Sequence, residues 1–155
     1  MVRRGVLVHA ASVPPAVFER VVPWLAEGEP VRVARAHADW TQPEMAAWLP
    51  LLRRHGISLR HHFRTRATHD PALVAMTIDA LDLAATAEVD HLFLVGDVGA
   101  ATPLVERLRE RAVGVSAAGP ASTPHAFRAV CSDFLDISAL SADGDWPAVG
   151  RHRAT

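Results

Sequence analysis

The sequence predicts a three-layer α/β/α sandwich, in which helices cover both faces of a central, mainly parallel sheet. Short apolar runs alternate with longer amphipathic segments along most of the 155 residues. Strands that alternate with crossover helices are typical of parallel sheets. Half of the residues are hydrophobic, which is enough to build one compact core. Because the sequence shows no internal repeat, we expect a single domain over residues 1–138.

The apolar runs predict six short strands, and the segments between them predict helices. The strands are expected at residues 6–9, 31–36, 57–63, 92–95, 113–117 and 134–137. The helices are expected at residues 15–26, 41–55, 71–86 and 102–111, with a further helix after residue 124. This order supplies one helix for each crossover between neighbouring parallel strands.

Punctuating residues mark where the helices begin and end. Thr41 is a candidate N-cap for the second helix, and Gly56 is placed to end it. The pairs Thr102–Pro103 and Thr123–Pro124 combine a capping residue with a proline suited to the first helical position. The polar, Gly- and Pro-rich segment 139–155 predicts a flexible C-terminal tail.

Composition excludes several classes of protein. A net charge of −1 and a pI near 6.7 do not favour nucleic-acid binding. The single cysteine, Cys131, cannot form an intrachain disulfide and predicts a cytoplasmic location. Residues 1–12 place two arginines before an apolar run, but that run is too short for a signal peptide, so we expect a first strand there. No apolar run reaches the length of a membrane span.

Parallel sheets bind ligands at the carboxyl ends of their strands, where the strand order reverses. If the first and fourth strands flank that point, His9 and Asp97 lie close together. Imidazole can exchange protons near neutral pH, and a carboxylate can orient it. We therefore predict His9 and Asp97 as an acid/base pair, while structural use of a buried histidine is an equally open reading.

Several phrases follow one another in the order and spacing of a known family. They are "VLVHAAS", "RVARAHADW", "ALVAMTIDALDL", "LFLVGDVGAATPLVERLRERAVGV" and "GPASTPHAFRAVCSDFLDI". Over residues 5–137 the chain resembles NYN domains, which belong to the PIN-like nuclease superfamily and include the LabA-like proteins. The resemblance implies a PIN-like fold and a ribonuclease whose clustered acids hold Mg²⁺ or Mn²⁺ at the carboxyl end of the sheet.

The acids that this resemblance implies are mostly replaced. The positions expected to carry the family's polar metal-site residues hold His9, Ser12, Leu73, Val98 and Ala100. Asp79, in "IDAL", matches the family pattern, and Asp97 stands one place before an expected acid. We therefore expect no metal and no cofactor.

The first hypothesis is a small-molecule pocket rebuilt on the former nuclease site, with a metal-independent acid/base enzyme using His9, Asp97 and Asp79. Apolar groups in place of acids predict a closed, mostly apolar cavity. Its expected lining is Ser12, Asp39, Leu73, Val98, Gly99, Ala100 and Thr102.

Two alternatives stay open. One is a catalytically dead pseudonuclease that binds RNA or a protein partner, and the other is a weak Mg²⁺- or Mn²⁺-dependent ribonuclease. Arg60, Arg64 and Arg66 are predicted anion contacts in a solvated loop. A zinc site built on His61 and His62 is disfavoured, because neighbouring residues of a strand point to opposite faces. Apolar helix faces leave a homodimer open.

Overall fold

A computed structural model describes residues 1–66 and 69–140 together with the backbone of residues 151–153. One seven-stranded sheet forms its centre. The strands are β1 (Arg4–His9), β2 (Val31–Ala38), β3 (Ser58–His61), β4 (His91–Val95), β5 (Gly114–Gly119), β6 (Asp133–Asp136) and β7 (Arg151–Arg153). The expected first strand is confirmed: all six residues of β1 are buried.

The strand order across the sheet is β3-β2-β1-β4-β5-β6-β7. The first six strands are parallel, and β7 pairs with β6 in the antiparallel direction. Chain order reverses between β1 and β4, which are hydrogen-bonded neighbours. The predicted parallel α/β fold and its switch point between the first and fourth strands are both confirmed.

Within the described residues, five α-helices connect the strands. They are α1 (Pro15–Leu25), α2 (Leu49–His55), α3 (Pro71–Ala85), α4 (Thr102–Glu110) and α5 (His125–Val130). Short 3-10 helices lie at Ala10–Ser12, Pro43–Trp48, Gly99–Ala101 and Ile137–Ala139. Together with the sheet, they make the three layers of the expected sandwich.

Two apolar cores lie on opposite faces of the sheet. Alternation along β1 decides which residue enters which core, because neighbouring side chains of a strand point to opposite faces. Val6 and Val8 pack with residues of α1 and α2. Leu7 packs on the other face with residues of α3 and α4. Side chains that follow Leu7 in this alternation therefore face α3, and His9 is one of them.

Three predicted N-caps are wrong. Thr123 does not cap α5, which starts at His125 after Pro124, and the Thr123 hydroxyl donates to the Pro120 carbonyl. The second helix begins with a 3-10 turn at Pro43, while the backbone N–H and the hydroxyl of Thr41 both donate to Asp39. Thr102 is the first residue of α4, and its hydroxyl donates to the Gly99 carbonyl. In contrast, Gly56 ends α2 as expected, with a φ of +66°.

Most of the predicted flexible tail, 139–155, lies outside the described residues. Residues 151–153 are an exception, because they form β7 instead of a loose segment. Pairing with β6 satisfies backbone groups that would otherwise form an open sheet edge. Within the described part of the chain, no helix is both long and apolar enough to span a membrane.

Candidate functional site

A cavity of about 270 Å³ opens at the carboxyl ends of β1 and β2, beside the switch point. The described residues that line it are mainly polar. Those polar residues are His9, Ser12, Asp39, Gln42, Glu44, His62, Arg64, His69 and Asp70. Polar side chains from the loop after β3 and from the start of α3 converge here beside apolar ones, so the lining is mixed, and a mostly apolar pocket stays a prediction.

His9, the last residue of β1, is held at both nitrogens of its ring. Nδ1 lies 2.7 Å from the Ser12 hydroxyl oxygen, and Nε2 lies 2.8 Å from a carboxylate oxygen of Asp70. The His9 side chain is 8% exposed. Asp70 also caps α3 by accepting the N–H of Leu73 at 3.1 Å. One carboxylate thus starts the helix and fixes the ring.

The carboxylate partner of His9 is Asp70, so the predicted pairing with Asp97 is corrected. The backbone N–H of Asp97 donates to the Ser12 hydroxyl oxygen at 2.8 Å. Asp97 thereby contacts the site through its main chain, and it is not part of the cavity lining. Its position one residue past Gly96, at the end of β4, accounts for this contact.

Gly96 allows the ends of β4 and β1 to approach closely. Its φ is +129°, a region that side chains rarely adopt. A Cβ placed there would lie 2.8 Å from the Ser12 hydroxyl oxygen and 2.9 Å from the His9 Cβ. The glycine therefore permits the backbone of β4 to press against the His9–Ser12 pair.

Asp39 follows β2 and organises the wall of the cavity. Its carboxylate accepts the backbone N–H and the hydroxyl of Thr41, the Gln42 amide and the backbone N–H of Arg64. The Thr41 hydroxyl bond is the largest cause that holds the pKa of Asp39 well below its usual range, and the Arg64 N–H bond comes next. Asp39 is therefore an ionised anchor for two loops.

Asp79 lies on α3, behind the cavity, and does not line it. Its carboxylate is contacted by the Arg35 guanidinium and by Nε2 of His37, the latter at 3.0 Å. The other ring nitrogen of His37, Nδ1, lies 3.0 Å from Nε2 of His62, which does line the cavity. Asp79 therefore reaches the cavity through two histidine rings.

Five residues predicted for the pocket lie elsewhere. Leu73 and Val98 pack in or against the core beneath α3 and α4. Gly99 faces the ring of Pro124, at a spacing that leaves no room for a side chain. Ala100 is exposed, and Thr102 is bonded to Gly99. Ser12 and Asp39, by contrast, are among the lining residues.

The three predicted anion contacts separate in the structure. Arg64 lines the cavity, while Arg60 and Arg66 do not. The Arg60 carbonyl accepts the indole N–H of Trp40 at 2.9 Å. His61 and His62 diverge, as expected: Nδ1 of His61 accepts the backbone N–H of Trp40, whereas His62 turns to His37.

Asp70 and His37 were not singled out by the sequence reasoning. Asp70 precedes Pro71, and an acid followed by proline is a cap signal that places a carboxylate at a helix N-terminus. Arg35 and His37 alternate on β2, so both face α3. Polar side chains on the covered face of a central strand require partners, and Asp79 supplies them.

The residues around the cavity do not fit the divalent metal that the NYN resemblance implies. Such an ion needs several free carboxylate oxygens. Asp39 is occupied by four donors, Asp70 by His9 and Leu73, and Asp79, behind the cavity, by Arg35 and His37. Glu44 is the other acid among the described lining residues, and one carboxylate alone is too few for such an ion. Among residues 1–66 and 69–140, no group of three or more His, Cys, Asp or Glu side chains is placed to hold a metal.

Comparisons with known proteins agree with this fold. A Vibrio parahaemolyticus protein of unknown function has a similar structure, with a TM-score of 0.68 and 22% identity over 88% of this chain and 93% of that one. Acinetobacter baumannii MurG matches at a TM-score of 0.51 and 16% identity, over 86% of this chain and 40% of that one. No curated protein matches the sequence. The family model for the NYN domain matches residues 4–138, so the chain belongs to the NYN family.

Proposed function

We propose that this NYN domain is a metal-independent acid/base enzyme that acts on a small anionic molecule in the cavity beside His9. The observation that carries the proposal is the position of His9 in the cavity wall, with Ser12 on one ring nitrogen and Asp70 on the other. A hydroxyl, an imidazole and a carboxylate in this order form the arrangement that activates a hydroxyl group.

The contacts of His9 allow two protonation states. With a neutral ring, Nε2–H donates to Asp70, and Nδ1 accepts the hydroxyl proton of Ser12. With a charged ring, both nitrogens donate, and the Ser12 hydroxyl turns to the His9 carbonyl, 2.9 Å away. The two states differ by one proton and one hydroxyl rotation. His9 can therefore take a proton from the cavity side and return it without moving the ring.

The lining combines three carboxylates, those of Asp39, Glu44 and Asp70, with arginine and histidine donors that can contact an anion. Asp70 is paired with His9, and the Asp39 oxygens accept hydrogen bonds from the protein. Arg64 brings a permanent positive charge to the wall, and His62 adds ring nitrogens. Because 270 Å³ lies just below the range of about 300–1,000 Å³ for small-molecule pockets, the cavity suits a compact molecule such as a phosphate or carboxylate ester.

The two alternative functions, an RNA- or protein-binding pseudonuclease and a weak ribonuclease, are distinguished from the proposed enzyme by the experiments below. Of the three arginines predicted to contact anions, Arg64 alone lines the cavity, which gives little support to RNA binding along an arginine stripe. A weak metal-dependent ribonuclease would need the oxygens that protein donors occupy. A homodimer and a cytoplasmic location stay predictions, the latter from the single cysteine, which is buried and free.

Titration calorimetry with inorganic phosphate, in buffer containing EDTA, tests the anion site. We expect phosphate binding that His9→Ala and Arg64→Ala weaken. Arg66→Ala is the matched control, because Arg66 belongs to the same loop and lies outside the cavity lining. No binding, or equal loss in the Arg66→Ala variant, would overturn the anion site. Binding that appears only with Mn²⁺ would support the ribonuclease instead.

A second measurement tests whether the protein catalyses a reaction. Aryl esters and aryl phosphates release a coloured phenol on cleavage, so turnover can be followed without knowing the natural substrate. We expect turnover in EDTA that Ser12→Ala and His9→Ala abolish, while Asp97→Asn retains it because Asp97 contacts Ser12 through its backbone N–H. Phosphate binding without turnover of any of these compounds would identify a binding protein rather than an enzyme.

A further inference from the structure

A buried row of polar side chains leads from α3 to the wall of the cavity. Arg35 and His37 on β2 both contact the Asp79 carboxylate, and His37 continues to His62. The His37 side chain is 3% exposed and that of Asp79 is 15% exposed. The planes of the His37 and His62 rings are 7° from parallel, and the ring centres are 5.3 Å apart. This row, Arg35–Asp79–His37–His62, is separate from the Ser12–His9–Asp70 contacts.

Hydrogen-bond chemistry fixes the order of protons along the row. An ionised carboxylate only accepts, so Nε2 of His37 must carry the proton that it shares with Asp79. In a neutral His37, Nδ1 is then bare and must accept. The contact at 3.0 Å between His37 Nδ1 and His62 Nε2 therefore requires the proton on Nε2 of His62. This leaves Nδ1 of a neutral His62 as a bare nitrogen on a residue that lines the cavity.

We propose that His62 is a second proton-transfer group of the cavity, with Nδ1 as the base, and that His37 and Asp79 are positioning residues that set its tautomer. The proposal deepens the proposed function and rests on it. When Nδ1 of His62 takes a proton from a bound molecule, the proton on Nε2 can pass to Nδ1 of His37. His37 then becomes an imidazolium that shares Asp79 with Arg35, so the row gains one positive charge, and the molecule that lost its proton carries the matching negative charge.

The groups that face His62 support a neutral ring in the resting state. Burial is the largest cause that lowers the pKa of His62, followed by the neighbouring His37, His61 and Arg60. Asp79 acts in the opposite direction. Burial also opposes ionisation of Asp79, but the His37 hydrogen bond and the Arg35 charge together hold the pKa of Asp79 below its usual value. Arg64, His69 and Asp39 share the cavity wall with His62.

Nitrogen-15 NMR of the imidazole rings in the intact wild-type chain is the first test, because it needs no substitution. At neutral pH we expect a protonated Nε2 and a bare Nδ1 for both His37 and His62. A bare Nε2 with a protonated Nδ1 on His62 would overturn the proposal.

The variant Asp79→Asn tests the role of the carboxylate. It removes the charge that raises the pKa of His62, so the midpoint of the His62 titration should move to lower pH. Asp82→Asn is the matched control, since Asp82 is an exposed acid on the same helix and the charge change is identical. Equal shifts in the two variants, or none in Asp79→Asn, would show that the row does not control His62.

His9→Ala separates this inference from the function on which it rests. The variant should lose aryl-ester turnover and keep the His62 tautomer and titration, since His9 contacts Asp70 and Ser12 rather than His37. If the tautomers are as expected and His62→Gln leaves turnover unchanged, His62 is not a proton-transfer group and the inference fails. If no variant, including the wild type, turns over any ester while the tautomers hold, the proposed function fails.

Discussion

Replacing Asp70 by alanine should lower the free energy of unfolding by about 2 kcal/mol. Asp70 caps α3 through the Leu73 N–H, and loss of such a cap costs about 1 kcal/mol. The same substitution leaves Nε2 of His9 without its acceptor in a ring that is 8% exposed, which costs about 1 kcal/mol more. No further Coulomb energy is added, because the Asp70 side chain is 46% exposed and water screens its charge.

Asp70→Asn is the matched variant, because asparagine caps helices about as well as aspartate. It should lose less than about 1 kcal/mol, since an amide oxygen can still accept a hydrogen bond. Urea unfolding followed by tryptophan fluorescence measures both losses, and the chain has four tryptophans. For a chain of this length, 2 kcal/mol corresponds to a melting temperature lower by about 4–8 °C.

If Asp70→Ala is as stable as the wild type, the helix cap and the His9 contact of Asp70 do not stabilise the fold, and the reasoning is refuted. Equal losses in both variants would instead mean that the charge, and not the cap, dominates. A double-mutant cycle between His9→Ala and Asp70→Ala isolates the pair, and about 1 kcal/mol of coupling is expected. A coupling near zero would show that the two side chains do not interact in solution.

Three further predictions concern the backbone, an acid and the thiol. Gly96→Ala should cost at least about 2 kcal/mol in urea unfolding, since a Cβ there would press on Ser12, whereas Gly28→Ala, with open space around it, should cost about 1 kcal/mol. The depressed pKa of Asp39 gives stability that is fully present above its ordinary value of 3.8 and lost progressively as the pH falls towards the lower folded-state value, so the stability difference between wild type and Asp39→Asn should narrow steadily as the pH is lowered below about 4. Burial raises the pKa of Cys131 to about 12, so a thiol reagent should modify it only after unfolding; modification at pH 8 in the native state would contradict this.

Local periodicity was enough to predict the fold. Each predicted strand has a counterpart in the sheet, and the condition assumed for the switch point, that the first and fourth strands flank it, is met. The predicted boundaries of the first, third and fourth α-helices, 15–26, 71–86 and 102–111, differ from α1, α3 and α4 by one residue at the C-terminal end. These features depend on which residues of a short segment are buried, and the spacing of hydrophobic residues in the sequence shows this directly.

Capping was predicted less well, because a threonine has more than one local partner. Thr41 lies two residues after Asp39, and a carboxylate at that spacing captures both its N–H and its hydroxyl. The chain therefore turns at Asp39 and starts the helical segment at Pro43. Sequence reasoning that weighs threonine alone misses the competition from the acid before it.

The site was predicted in position and missed in detail. His9 was placed correctly at the end of a strand by the fold, but its partner is 61 positions away and belongs to a helix cap. No local pattern joins the two residues. The role of His37 could have been predicted, since Arg35 and His37 alternate on a strand that a helix covers, and their side chains require an acceptor on that helix.

The occupied carboxylates lead to a final prediction, on metal binding. To gain a second carboxylate beside Glu44, an Mg²⁺ ion at the cavity would have to displace the N–H of Arg64 and the N–H of Thr41 from Asp39, or separate Asp70 from His9. Each lost hydrogen bond costs about 1 kcal/mol. We therefore expect the amide signals of Arg64 and Thr41 to stay in place when millimolar Mg²⁺ is added in an NMR titration. Joint movement of both signals would show that Asp39 exchanges its protein donors for the metal, and the cavity would then be a nuclease centre with its acids rearranged.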